Sequence, residues 1–208
     1  MNSDIEIKRL QLGPFSTNAY VLISRATSDS ILVDAPDEPA ALLKALEGSH
    51  PRYIVITHNH PDHTGALEEL KSVLNIPVAV HPFDAAGLPV KADIMLNNTD
   101  YVNFGDVRAE VIHTPGHTAG SICLKIGDVL LSGDTIFPGG PGHTDTPYEF
   151  KAIISSLVSR IFVLPGNTQV FPGHGDGTVL SIEKEQFAAF NSRHHSNQLC
   201  GDVLWLSS

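Results

Sequence analysis

The stretch ITHNHPDHTG, residues 56–65, brings His58, His60, Asp62 and His63 into one short loop of a 208-residue chain that holds 11 histidines. On an extended segment, residues i and i+2 point to the same side, so His58 and His60 converge, with Asp62 and His63 following at the turn into a helix. Imidazole and carboxylate together suit zinc, iron and related ions, and a mixed set is typical of catalytic centres that keep a coordination position for water. Further ligand types recur in glycine-flanked turns after strand-like runs: His117 in TPGHTAG, Asp134 in LSGDTIF and His174 in FPGHGDG. Such turns are where a rigid sheet aims side chains at one point. Seven side chains exceed what one tetrahedral ion takes up, so two metal ions are the simpler fit. A closed structural metal site is disfavoured, since these turns imply an open one.

The elements that must position these residues come in two blocks of strands bracketed by helices. IEIKRLQL, NAYVLIS and SILVDA, separated by GPFSTN and RATSDS, read as three antiparallel strands. DEPAALLKALEG reads as a helix, with Asp37 as N-cap, Pro39 in the first turn and Gly48 at the end. RYIVITH is a short buried strand, and from Asp62 onward Ala66, Leu67, Leu70, Val73 and Leu74 recur at helical spacing. IPVAVH is a strand, ADIMLNNTDYVNFGDVRAEVIHT a set of strands with polar turns, and GSICLKIG with DVLLSGD a hairpin about Gly127 and Asp128. Phe150, Ile153, Ile154, Leu157, Val158 and Ile161 form one apolar helical stripe, and LSIEKEQFAAF a shorter helix after the strand-like TQVFPG. Two packed sheets covered by helices explain this order.

Composition narrows the function. With 42% hydrophobic residues the chain can bury a sizeable core as a single domain over 1–208. Thirteen basic against 23 acidic residues, a net charge of −10, disfavour nucleic acid and anionic membranes and favour small-molecule partners. The opening MNSDIEIKRLQLG lacks the basic-then-apolar order of a leader, which points to the cytoplasm. Cys123 and Cys200 lie too far apart for a metal knuckle, and Cys123 reads as a buried strand residue.

THNHPDH, PGHTAGS, SGDTIF and PGHG, with LVDA upstream, resemble in order and spacing the successive motifs of the metallo-β-lactamase-fold hydrolases, across essentially the whole chain. The resemblance implies an α/β layered fold, an αββα sandwich of two mixed β-sheets flanked by helices, with metals at one edge. It implies that His58, His60 and His117 hold one divalent ion, that Asp62, His63 and His174 hold a second, and that Asp134 bridges them. Zinc is the expected metal, with iron or manganese also suited. Asp34 in LVDAPDE matches the family's first motif, where a carboxylate supports a ligand from behind; on the residues alone it reads as well as a turn or cap residue. The implied reaction is attack of a metal-bridging hydroxide on an ester or thioester carbonyl, with Asp62 also moving a proton. The lack of a GxSxG elbow agrees with this.

Within that family, LGPFSTNAYVL and GDTIFPGGPGHTD are similar to short glyoxalase II-type enzymes, the hydroxyacylglutathione hydrolases, which cleave S-lactoylglutathione. The chain departs from them where their GCGR turn reads GPGH, with Pro141 and His143 in place of cysteine and arginine. It also continues only about 34 residues past His174, where longer relatives carry a helical domain with basic residues for glutathione. The expected substrate is therefore a small-molecule thioester or ester, without a strong demand for glutathione, and the expected state a monomer or homodimer. His143 and Tyr148 are candidates to touch substrate, His143 reading equally as a plain loop residue. Persulfide dioxygenases resemble the same motifs with a single iron, which His58, His117 and Asp134 would hold. A lactonase would use the same chemistry on a cyclic ester.

Overall fold

β1 (Ile5–Leu12) pairs antiparallel with β2 (Thr17–Ser24), and β2 with β3 (Asp29–Val33), as the three β-rich runs predict. These strands open a computed structural model that describes residues 4–208; the first three residues of the stretch read for a leader lie outside it. After α1 (Pro39–Leu46) the chain crosses to β4 (His50–Val55), parallel to β3. α2 (Pro61–Thr64) and α3 (Leu67–Leu74) then lead to β5 (Val78–Val80) and β6 (Ile94–Met95), both added in parallel. The first sheet thus runs β1 to β6 in unbroken sequence order.

The second half repeats the plan. β7 (Tyr101–Phe104), β8 (Val107–His113), β9 (Ile122–Ile126) and β10 (Val129–Gly133) form an antiparallel meander. A small hairpin of β11 (Ile136–Phe137) and β12 (Gly140–Pro141) precedes α4 (Pro147–Ser156). β13 (Gln169–Pro172) then joins β10 in parallel, and β14 (Thr178–Val179) closes the edge before α5 (Leu180–Asn191).

The period of two along the strands builds the layers. In β2, Tyr20 and Leu22 face the other sheet, against Phe104, Val111, Leu124 and Leu131. Ala19, Val21 and Ile23 face outward onto Leu42, Leu46, Leu67 and Leu70 of α1 and α3. On the far side, Cys123, Leu130 and Val170 meet Phe150, Ile153, Leu157, Leu180 and Phe190. Helix, sheet, sheet and helix therefore stack around three apolar layers, the αββα arrangement expected. Among the described residues, no helix is long and apolar enough to cross a membrane.

Three local expectations are corrected. Glu38, not Asp37, occupies the N-cap of α1, in a left-handed conformation and without a side-chain cap. The helix expected from Asp62 breaks after one turn, because Ala66 N donates to Ala35 O (2.9 Å) and is held to the first sheet instead of the preceding turn. The apolar stripe 150–161 is helical, but its last part, Leu157–Ile161, is wound as a π-helix.

Candidate metal centre

Every ligand type singled out in the sequence lies in the segment that leaves the C-terminal end of a strand, Asp62 and His63 in the single turn of α2 and the others in loops. Asp34 follows β3, the HNHPDH loop follows β4, His117 follows β8, Asp134 follows β10 and His174 follows β13. These loops meet at one edge of the sandwich, where both sheets contribute. The edge is sewn by Asn18 N donating to Gly173 O (2.7 Å), Tyr20 Oη–H to Pro172 O (2.7 Å) and Ile122 N to Thr57 O (2.9 Å).

The seven side chains form overlapping sets: His58, His60 and His117; His58, His63 and Asp134; Asp62, His63 and His174, with all candidate ligand atoms of a set within 4.8 Å of one another. His63 Nε2 lies 3.3 Å from His174 Nε2, 3.6 Å from Asp62 Oδ2 and 3.4 Å from Asp134 Oδ1. His174 Nε2 lies 3.2 Å from Asp62 Oδ2 and 3.5 Å from Asp134 Oδ2. On the other side His58 Nε2 and His117 Nε2 stand 3.2 Å apart, and His117 Nε2 is 3.6 Å from Asp134 Oδ2. A tetrahedral ion with bonds of about 2.0–2.2 Å separates its ligands by about 3.3–3.6 Å. The observed spacings are those of donors around an ion.

The histidine tautomers say the same. His63 Nδ1 bonds Asp34 Oδ2 (2.8 Å), His117 Nδ1 bonds His143 O (2.9 Å) and His174 Nδ1 bonds Phe15 O (3.1 Å). Thr57 gives its own hydroxyl proton to Asp34 Oδ2 (2.8 Å) and so accepts from His58 Nδ1 (3.1 Å). Each of these four rings thus spends its Nδ1–H away from the cluster and turns its Nε2 inward, the atom left to ligate an ion. His58 Nε2 and His117 Nε2, facing each other at 3.2 Å, are satisfied by a shared proton or by a metal ion between them. Asp134 Oδ1 is buried with no hydrogen-bond partner among the described residues, an orphan that a cation satisfies. Gly173 leaves room for it, since a Cβ there would stand 2.1 Å from Asp134 Oδ1. The donor set fits two divalent ions.

The electrostatics follow from burial and charge. Burial, then the neighbouring His63, holds His58 well below the ordinary imidazole range, keeping it neutral and ready to ligate. Burial also lowers His60, with His117 adding to it. Burial would raise Asp134, but the bond from His174 and the neighbouring imidazoles, the charged His63 among them, outweigh it and keep the carboxylate ionised. Burial lowers His63 as well, yet the Asp34 carboxylate more than reverses this and brings it up to about 9. The Asp134 bond likewise raises His174.

A metal-free His63 therefore carries a proton at neutral pH. Its folded pKa lies above the unfolded value, so its contribution to the stability of the metal-free fold is full below about pH 6.5 and is lost as pH rises through about 9. Zinc must displace that proton from Nε2. Calorimetric titration of metal-free protein near pH 7.5, in two buffers of different ionisation enthalpy, is expected to report release of about one to two protons per chain, declining above about pH 9. Heats that are identical in the two buffers would contradict this assignment.

The structure places the remaining candidates differently. His143 lines a cavity beside the cluster and pairs with Asp202 (2.8 Å) and Asp145 (3.3 Å), but its closest service to the site is its backbone carbonyl, which orients His117. Tyr148, in the first turn of α4, is 81% exposed and does not reach that cavity. Phe150 lies in the helix core as expected. Two supporting residues carried no local signal in the sequence. Thr57 links Asp34 to His58. Buried Asp84 accepts from Asn59 N (3.1 Å), Gly120 N (2.8 Å) and Thr118 Oγ1 (2.7 Å), tying the His58 loop to the His117 loop.

The family model of the metallo-beta-lactamase superfamily matches residues 12–174, and the chain belongs to that superfamily of metal-dependent hydrolases. A hydroxyacylglutathione hydrolase of Anaeromyxobacter dehalogenans (strain 2CP-C) is 35% identical over 161 residues; the match covers 77% of this chain and 62% of that longer protein. The crystal structure of the BLEG-1 B3 metallo-beta-lactamase aligns with a TM-score of 0.77 at 32% identity, covering 86% of this chain and 97% of the other. TTHA1623, crystallised in a di-iron-bound form, aligns with a TM-score of 0.73 at 33% identity, covering 85% and 96%.

Proposed function

We propose that the chain is a dinuclear metal-dependent hydrolase that cleaves a small-molecule thioester or ester, as glyoxalase II-type enzymes do. In this reading His58, His60 and His117 hold one ion, Asp62, His63 and His174 hold the other, and Asp134 stands between them. The observation that carries it is the inward ring of Nε2 atoms around an orphaned Asp134 oxygen. When bound, the two ions supply Lewis acidity, lowering the pKa of a water between them and polarising a carbonyl. The protein's share is orientation. Asp34, Thr57, Phe15 and His143 fix the rings from behind. Asp62, whose Oδ2 accepts from Thr17 Oγ1 (3.1 Å), sits where a carboxylate can take a proton from the attacking water and deliver it to the departing thiol or alcohol.

The hydroxyacylglutathione hydrolase relative supports the thioester class, and the di-iron neighbour supports two ions while making iron a rival to zinc. Elemental analysis of protein expressed without metal supplements, followed by a panel of thioesters, esters, lactones and a β-lactam, tests the reading. Two ions per chain and thioester turnover are expected. A single iron with oxygen uptake on a persulfide would replace it with the dioxygenase alternative. The GPGH turn adds a second expectation: trimming glutathione to a simple thiol leaves kcat/KM within about tenfold, because little binding energy is drawn from the remote peptide. A loss of several orders of magnitude would show that glutathione is recognised.

A further inference from the structure

Two cavities of about 290 Å³ each flank the cluster. One opens from Asp62 past Thr17 and Phe15 towards Asp37. The other opens from His117 and Asp134 along Phe137 and Pro141 to the C-terminal residues Val203 and Leu204, with Asp202 and His143 at its rim. No lysine or arginine lines either cavity.

The outer wall of the second cavity is a built structure. Trp205 is fully buried among the helices of the second sheet, and its Nε1–H donates to Glu183 Oε2 (3.2 Å), which also accepts from Gly139 N (2.9 Å). Trp205 N donates to Gly139 O (2.7 Å) and Gly201 N to Thr144 O (2.7 Å), so the C-terminal segment is moored at the turn of the β11–β12 hairpin and again just beyond it. The contact is close enough that a Cβ on Gly140 would lie 2.3 Å from Val203 O. From this wall Asp202 Oδ1 reaches His143 Nδ1 (2.8 Å), and the His143 carbonyl holds His117. Pocket wall and metal-facing loop are mechanically one piece.

We propose that this C-terminally walled cavity receives one arm of the substrate and selects a short apolar arm that is uncharged or cationic, and rejects a carboxylate or phosphate there. The proposal rests on reading the cluster as a hydrolytic centre. Ions held by the cluster would place their charge at the end lined by His117 and Asp134; the far end of the arm would meet Phe137, Pro141, Val203 and Leu204, then the carboxylate of Asp202. An anionic tip would find only His143, which already faces Asp202 and Asp145. An ammonium tip would find Asp202.

Zinc-loaded protein titrated with 4-mercaptobutanol, 4-mercaptobutylammonium and 4-mercaptobutanoate tests this by binding alone, since the three share a thiol for the metal and differ at the tip. The neutral and cationic thiols are expected to bind about two- to fivefold tighter than the carboxylate. Asp202→Lys, at a site 87% exposed and so tolerant of exchange, is expected to reverse the order of the two charged ligands. Glu47→Lys makes the same change of net charge on an exposed turn before β4, at the opposite end of the strands, and is expected to leave the order as in the wild type. Carboxylate binding equal to or tighter than the others, no binding by any of the three, or an order unmoved by Asp202→Lys would overturn the proposal. Absence of turnover on every ester and thioester, with the binding order intact, would instead count against the hydrolase reading.

Discussion

Replacing Asp134 with alanine is expected to lower kcat/KM by roughly 10³-fold or more and to bring metal content from two ions per chain to one or fewer. Lewis-acid polarisation by bound ions is worth several kcal/mol, and each 1.4 kcal/mol is about a decade of rate. Among the described residues, Asp134 is the carboxylate whose two oxygens face both halves of the cluster, Oδ1 towards His63 and Oδ2 towards His117 and His174. Without it, six donors split into two sets of three with nothing to hold them at a common distance. Asp134→Asn, which keeps the volume and one carbonyl oxygen, is expected to fall between alanine and wild type. Elemental analysis beside steady-state kinetics reads both quantities, and a circular dichroism melt confirms that the variants fold. Wild-type turnover in Asp134→Ala would end the two-ion assignment.

Asp34→Asn is expected to weaken metal at the Asp62, His63 and His174 set by about 10–100-fold, although residue 34 is not itself a ligand. The carboxylate accepts from Thr57 N (2.8 Å), Thr57 Oγ1 (2.8 Å) and His63 Nδ1 (2.8 Å). An asparagine that keeps its oxygen on Thr57 N must turn its NH2 towards His63, which then accepts at Nδ1 and presents its hydrogen at Nε2, the atom that must be bare. The same change removes the charge that raises His63, so proton release on zinc uptake should fall by about one per chain. Competition with a metallochromic chelator measures the affinity and calorimetry the proton. Equal zinc affinity in Asp34→Asn and wild type would show that the tautomer of His63 is set by something else. Asp34→Ala is the harsher change: Thr57 N–H loses its partner, at about 1–3 kcal/mol, and alanine inherits a φ of +61° that aspartate tolerates better.

The parts legible in the sequence were those with a local pattern. Four ligand types within HNHPDH, ligands punctuated by glycine at TPGHTAG, SGDT and PGHG, and strands whose alternation fills two faces, as in TNAYVLIS, each carry their meaning in a few neighbouring residues. What was not legible depends on partners far along the chain. Asp84 stands 25 residues from Asn59 and 36 from Gly120 and has no motif around it. The helix after Asp62 breaks because the first sheet captures Ala66 N, which helical periodicity alone does not reveal. Tyr148 read as a candidate to touch substrate, yet the α4 capping box of Thr146 and Glu149 sets a helical register that points it to solvent. The pocket wall at Asp202–Leu204 depends on Trp205 finding Glu183, 22 residues away.

The sequential strand order of the first sheet has a consequence for assembly. Residues 5–95 complete one sheet and residues 101–179 the other, so most pairing is settled within each half of the chain. The cluster draws His58, His60, Asp62 and His63 from the earlier half and His117, Asp134 and His174 from the later one, and it takes shape only when the halves dock. An ion that binds the docked state and not its separated halves favours docking by mass action, in proportion to the logarithm of its concentration over its dissociation constant. A metal centre of the proposed kind would thereby also be the rivet of the seam, and the supply of metal would set how firmly the two halves stay closed.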